Sequence, residues 1–146
     1  MAIRKIVKEG EEILRKNCRD VTAFNEKLWM LLDDMRETML DANGVGLAAP
    51  QVGLMRRIAV VEAEGVYVEL INPEITDCGG EQIGQEGCLS VPDVWGNVKR
   101  PYWIKVEFYD RNGKLQKKKY EGFLCRAVCH ELDHLKGILF IDKMEK

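Results

Sequence analysis

Phe123 to Lys136 reads as a helix whose first two turns are apolar on most sides, through Phe123, Leu124, Ala127 and Val128. That is the mark of a helix buried between sheets rather than lying on a surface. Gly137 stops it. The same stretch holds the only two histidines of the chain, His130 and His134, on either side of Glu131. At about 3.6 residues per turn the two imidazoles stack on one helix face and can grip a single metal ion. Glu131 lies about 100° further round, close enough to take a proton from water on that metal. The pattern points to a metal-dependent hydrolase.

Two histidines do not make a catalytic metal site, which uses three protein ligands and leaves a position open. The stretch from His130 follows H-E-x-x-H-x-x-G-x-x-H except at its last position, where Phe140 cannot ligate. Only twelve residues follow His134, and Asp142 and Glu145 stand too near the end for a separate packed helix. The third ligand is therefore expected upstream. Five cysteines are available: Cys18, Cys78, Cys88, Cys125 and Cys129. Cys125 lies about 140° and Cys129 about 100° from His130 around the helix, so neither easily meets both imidazoles. Cys88 follows Gly87, which permits close approach of the backbone, and Leu89-Ser90-Val91 alternates as an extended strand would. Spacing makes Cys88 the favoured choice and no more.

Three segments together narrow the reading. Gly44-Val45-Gly46-Leu47-Ala48-Ala49-Pro50-Gln51, Glu86-Gly87-Cys88-Leu89-Ser90 and His130-Glu131-Leu132-Asp133-His134 resemble the three signature motifs of peptide deformylases, in the family's order and at similar separations. The likeness covers nearly the whole chain. It implies that Cys88, His130 and His134 hold the metal, and that Glu131 moves the proton from the attacking water to the departing amine. It also implies that the side-chain amide of Gln51 and the backbone N–H of Leu89 stabilise the oxyanion. The substrate implied is the N-formyl-methionine end of newly synthesised polypeptides, with formate released. The peptide is expected to add as a strand along backbone near Val45, Gly46, Gly87 and Leu89, with bare glycines at 46 and 87 letting it come close. Val45, Phe123 and Ala127 are the candidates for an apolar methionine pocket. The resemblance implies Fe2+ as the working ion in the cell, with Zn2+, Ni2+ or Co2+ able to replace it in purified protein. Glu86 and Asp133 are candidates to orient the ligands.

Two features depart from the family pattern. Trp95 stands near the cleft where some members carry arginine, which removes a charged contact to the peptide. The chain ends at Lys146, short of the C-terminal helix that the resemblance links to ribosome docking in many relatives, which leaves docking open; a transient ribosome contact is among the expected partners. Two other readings share the metal helix. A metallopeptidase would cut internal amide bonds, and a non-catalytic metal module would need a fourth protein ligand, for which no histidine remains.

The rest of the chain reads as α+β: antiparallel sheets packed around the central metal-binding helix. Asn25 is a good N-cap with Phe24 and Trp29 as a staple; Leu28, Leu31, Leu32, Met35 and Met39 then keep helical period until Asn43-Gly44. Gly44 to Gly53 reads as a loop or irregular strand. Strands are expected from Arg57 to Glu62, from Val66 to Ile71 (ended by Asn72-Pro73), and from Tyr102 to Tyr109. Asp110 to Gly113 forms a turn before a partner strand that reaches Tyr120.

At 146 residues and 46% hydrophobic, residues 1–146 are expected to form one catalytic domain. No apolar run reaches membrane-spanning length, and no leader peptide is evident. An odd number of cysteines without a signal peptide points to a reducing, cytoplasmic setting. A net charge of −2 offers no global attraction to nucleic acid. Residues 99–119 are rich in Lys and Arg, Arg100 and Arg111 among them; we read them as a solvated hairpin in preference to an RNA-facing patch.

Overall fold

The computed structural model describes residues 2–145. Helix α1, Glu26–Asp41, starts where Asn25 accepts hydrogen bonds from the backbone N–H groups of Lys27 and Leu28. Its expected stripe of Leu28, Leu31, Leu32, Met35 and Met39 is buried throughout. Past its end, Asn43 takes the left-handed conformation at φ 59°, and the N–H of Gly44 closes on the carbonyl of Met39.

Seven strands form two antiparallel sheets among the described residues. The larger has the order β1-β2-β3-β6-β7, with β1 Gly46–Ala48, β2 Ile58–Ala63, β3 Val66–Gly79, β6 Trp103–Tyr109 and β7 Leu115–Glu121. The smaller is the hairpin of β4, Gln82–Cys88, and β5, Val91–Arg100. Helix α2, Gly122–His134, packs on β1, β2, β6 and β7. Its Cys125, Ala127, Val128, Cys129 and Leu132 share one core with Ala59, Val61, Leu70, Ile104 and Val106 of the sheet. Helix α1 covers the opposite side, through a second core with Leu47, Ile58, Val60 and Ile71. The hairpin closes over the other side of α2, so α2 lies between the two sheets, the expected α+β arrangement.

Two strand expectations need correction. The strand expected to end at Asn72-Pro73 continues to Gly79. β3 pairs with β2 as far as Ile71 and with β6 from Ile71 onward, with register shifts after Ile71 and after Ile75. Asn72 sits at φ 51° in the first irregularity, its side chain bonded both ways to the backbone of Val21. A bulge of this kind tolerates a proline, which has no N–H for the ladder. The second correction concerns Leu89-Ser90, which forms the two-residue turn between β4 and β5; the extended strand lies before it.

The lysine-rich segment also reads differently in space. Lys117, Lys118 and Lys119 lie exposed on β7, an edge of the larger sheet, where charge discourages pairing with another chain. Arg100 is buried, and Arg111 pairs with Glu69 and Asp33. Neither arginine is a free surface cation. Among the described residues, no helix is long and apolar enough to cross a membrane.

Candidate metal centre

Gly122, at φ 64°, turns the chain from β7 into α2, and its N–H donates to the carbonyl of Tyr102. Gly137, at φ 75°, lies beyond the other end of the helix. Between them α2 buries His130, Glu131 and His134 under the β4–β5 hairpin. Cys88, the last residue of β4, faces them. The ligand atoms of Cys88, His130 and His134 all lie within 4.8 Å of one another, with Cys88 Sγ 3.3 Å from His134 Nε2. Cys125 and Cys129, on the same helix, are buried elsewhere as free thiols. Phe140, at the position where a third histidine would stand, instead stacks on the ring of His130 at 5.9 Å.

The donor set and its surroundings fit a divalent cation. His130 Nδ1 lies 3.0 Å from Glu86 Oε1, which favours the tautomer with its proton on Nδ1 and leaves Nε2 free to ligate. Burial works against a positive charge on His130, yet Glu131, Cys88 and Glu86 together raise its pKa to about 10. The same anionic neighbours would favour a metal ion at Nε2. Burial, with His130 and Arg100 nearby, pushes His134 down to about 3, so its imidazole is neutral with a lone pair available.

Glu131 is buried beside this group, with Oε2 4.0 Å from His130 Nε2 and Oε1 without a hydrogen-bond partner among the described residues. Burial raises its pKa to about 7 against the lowering effect of His130. Gln51 sits in the 3-10 turn Ala49–Val52 that follows β1. Its Oε1 accepts from Ala48 N–H at 2.9 Å, which turns the amide nitrogen toward Ser90 Oγ at 3.1 Å and Cys88 Sγ at 3.6 Å. Leu89 lies in the β4–β5 turn. Its carbonyl accepts from Lys8 Nζ, and the N–H groups of Val7 and Glu9 donate to the carbonyls of Gln51 and Ser90. The N-terminal arm thus ties the two loops together.

Gln51, Cys88, Leu89, His130 and Glu131 line a cleft of about 530 Å³, together with Val45, Gly46, Gly87, Phe123 and Ala127. Val45 and Phe123 are exposed at its mouth and Ala127 is buried. The space beside each of the two glycines is occupied by a side chain. A Cβ on Gly46 would overlap the carboxylate of Glu131, and one on Gly87 would overlap the Trp95 ring. At Gly46 the neighbour is buried, whereas at Gly87 it is an exposed indole that a side chain would have to push aside.

Glu86 and Asp133, named from the sequence as candidates to orient the ligands, are held by two arginines that the sequence did not mark, Arg100 and Arg126. Glu86, buried, accepts from Arg100 Nε and Nη2 at 3.0 and 2.9 Å and from Arg126 Nη1 at 2.6 Å, besides facing His130. Burial would raise its pKa, but the bonds from His130 and Arg100 hold it down to about 2. Arg100 reaches on to Asp133 at 2.6 Å, and Lys143 meets Asp133 at 3.0 Å. In sequence Arg100 was one of a run of cations; only its 3% exposure separates it from the others. Ser90, fully buried against Gln51, carried no signal beyond its place beside Cys88.

Comparison with known proteins gives the family and the fold. The family model for polypeptide deformylase matches residues 3–146. Peptide deformylase of Caldicellulosiruptor bescii is 52% identical over 144 residues, covering 99% of this chain and 87% of that protein. Peptide deformylase 1 of Bacillus subtilis is 49% identical over 148 residues, covering 100% of this chain and 92% of the other. The crystal structure of the Thermotoga maritima enzyme superposes with a TM-score of 0.97 at 38% identity, over 99% of both chains. An Acinetobacter baumannii peptide deformylase bound to Met-Ala-Ser superposes with a TM-score of 0.93 at 37% identity, over 97% of this chain and 98% of that one. The chain therefore belongs to the peptide deformylase family, metal-dependent hydrolases that remove the N-formyl group from nascent peptides.

Proposed function

We propose that Cys88, His130 and His134 hold one divalent metal ion, Fe2+ in the cell, and that Glu131, Gln51 and Leu89 carry out deformylation around it. The observation that carries this reading is the convergence of one sulfur and two imidazoles within 4.8 Å, beside a buried carboxylate oxygen with no partner among the described residues. A soft thiolate with two imidazoles suits Fe2+, Zn2+, Co2+ or Ni2+. When bound, the ion supplies Lewis acidity, polarising the formyl carbonyl and making water nucleophilic at neutral pH.

The chain's own groups do the rest. Glu131 takes the proton of the attacking water through its unpartnered oxygen and delivers it to the departing amine. The Gln51 amide is held by Ala48, so an N–H that now meets only a sulfur at 3.6 Å is ready for an oxygen that gains charge. With the N–H of Leu89 it supplies the oxyanion donors, each worth about 3 kcal/mol in the transition state. The peptide adds as a strand between the Val45–Gly46 backbone and that of Gly87 and Leu89, which reads no side chains there. Phe123, Ala127 and Val45 enclose the methionine. Residues 1–146 act as one catalytic domain in the cytoplasm, where formylated chains emerge and a thiolate ligand stays reduced. Contact with the ribosome is transient, through the emerging chain.

The test is formate release from formyl-Met peptides by anaerobically prepared protein, with metal measured on the same sample. Glu131→Gln should keep one ion per chain and lose turnover by about 10²–10⁴-fold. Unchanged turnover would sink the assignment of Glu131. Cleavage of unformylated peptides would point to a peptidase instead.

A further inference from the structure

We propose that Trp95 reads the second residue of the substrate, favouring aliphatic and aromatic side chains there. The inference rests on the strand-addition reading above and extends it from backbone to side chain. Trp95, on β5, is 66% exposed, more than any other large apolar side chain among the described residues, and it borders the cleft. Glu86 pairs with Gly96 and the register shifts between Glu86 and Cys88; there the Trp95 ring packs on Gly87, whose missing Cβ is the space the indole fills. The ring therefore lies across β4, the strand whose backbone receives the peptide.

The alternation of β4 gives the face. Gly84 and Glu86 point to α2, where they meet Arg126 and His130. Gly87 points the other way, to Trp95. A peptide strand laid alongside β4 alternates in the same manner. With the methionine side chain on the α2 side, against Phe123 and Ala127, the next side chain falls on the Trp95 side. An indole there offers apolar contact and no charge, so it rewards an apolar partner by removing exposed surface from water.

The experiment compares kcat and KM for formyl-Met-X-Ala peptides with X as Ala, Leu, Phe, Lys or Glu, in wild type, W95A and W95F. For wild type, Leu and Phe should exceed Ala by roughly five- to tenfold in kcat/KM, the value of burying about half of the extra carbons. The difference should lie in KM, with kcat nearly constant. W95A should bring all five peptides within about twofold, and W95F should retain most of the preference. A flat series in wild type, or a preference that survives in W95A, would overturn the proposal. The same series with the X amide N-methylated tests the underlying reading separately. If methylation leaves kcat/KM intact, strand addition is wrong; if it abolishes turnover while the X series is flat, only the role of Trp95 fails.

Discussion

Gly46→Ala isolates the position of Glu131 from its chemistry. The new methyl would overlap one carboxylate oxygen and lie 2.8 Å from both the carboxyl carbon and Cγ of Glu131. These separations are far inside van der Waals contact, so the carboxylate has to retreat by about 1 Å. A displacement of that size in a catalytic group costs about a hundredfold in rate. Gly46 itself cannot yield easily, because β1 is paired to β2 in register with Val61 and is buried along its length. The strain of overpacking should also cost about 1–3 kcal/mol of stability, or about 3 °C of thermal midpoint per kcal/mol for a chain of this size. Cys88, His130 and His134 are untouched, so metal content should stay at one ion per chain. The assay is formate release at saturating formyl-Met peptide, with metal analysis and a thermal melt on the same preparation. A variant that keeps one ion and turns over within threefold of wild type would refute the claim that this glycine sets the place of the base.

Further predictions concern the ligand support and the thiols. Glu86→Gln removes the charge that Arg100 and Arg126 share, leaving buried cations under-compensated; urea titration should show a loss of about 3–5 kcal/mol, and competition with a chelator a 10- to 100-fold weaker metal site. A variant that binds metal as tightly as wild type would show that His130 needs no help from Glu86. Burial, only partly offset by Arg57, raises the Cys18 thiol to about 11, so at pH 8 about 0.1% of it is thiolate. Exposed Cys78 should therefore be alkylated first, and reactivity at Cys18 should grow only as pH rises toward its raised pKa. Mass-spectrometric mapping of labelled peptides checks the order, and faster labelling of Cys18 would contradict it.

Local pattern was enough for the two helices. The five apolar positions of α1 fall on one side of a 3.6-residue repeat, and Asn25 caps it through its own side chain, so neither feature needs distant residues. His130, Glu131 and His134 share a single turn of α2 for the same reason. The β4–β5 hairpin was different. Its inward positions are Gln82, Gly84 and Glu86, which carry no hydrophobic alternation, because what they bury is a carboxylate and the room for an arginine.

The sequence alone determined the helical elements, the α+β class and, through three motifs, which residues are candidates for the metal and its base. Only the tertiary structure decided that Arg100 is buried, that Gly46 yields its space to Glu131 and Gly87 to Trp95, and that Pro73 sits within a continuous strand. The physical reason is range. Helical period and capping act over three or four residues, whereas the partners of Glu86 lie 14, 40 and 44 residues away and meet it only when β4, β5 and α2 have packed.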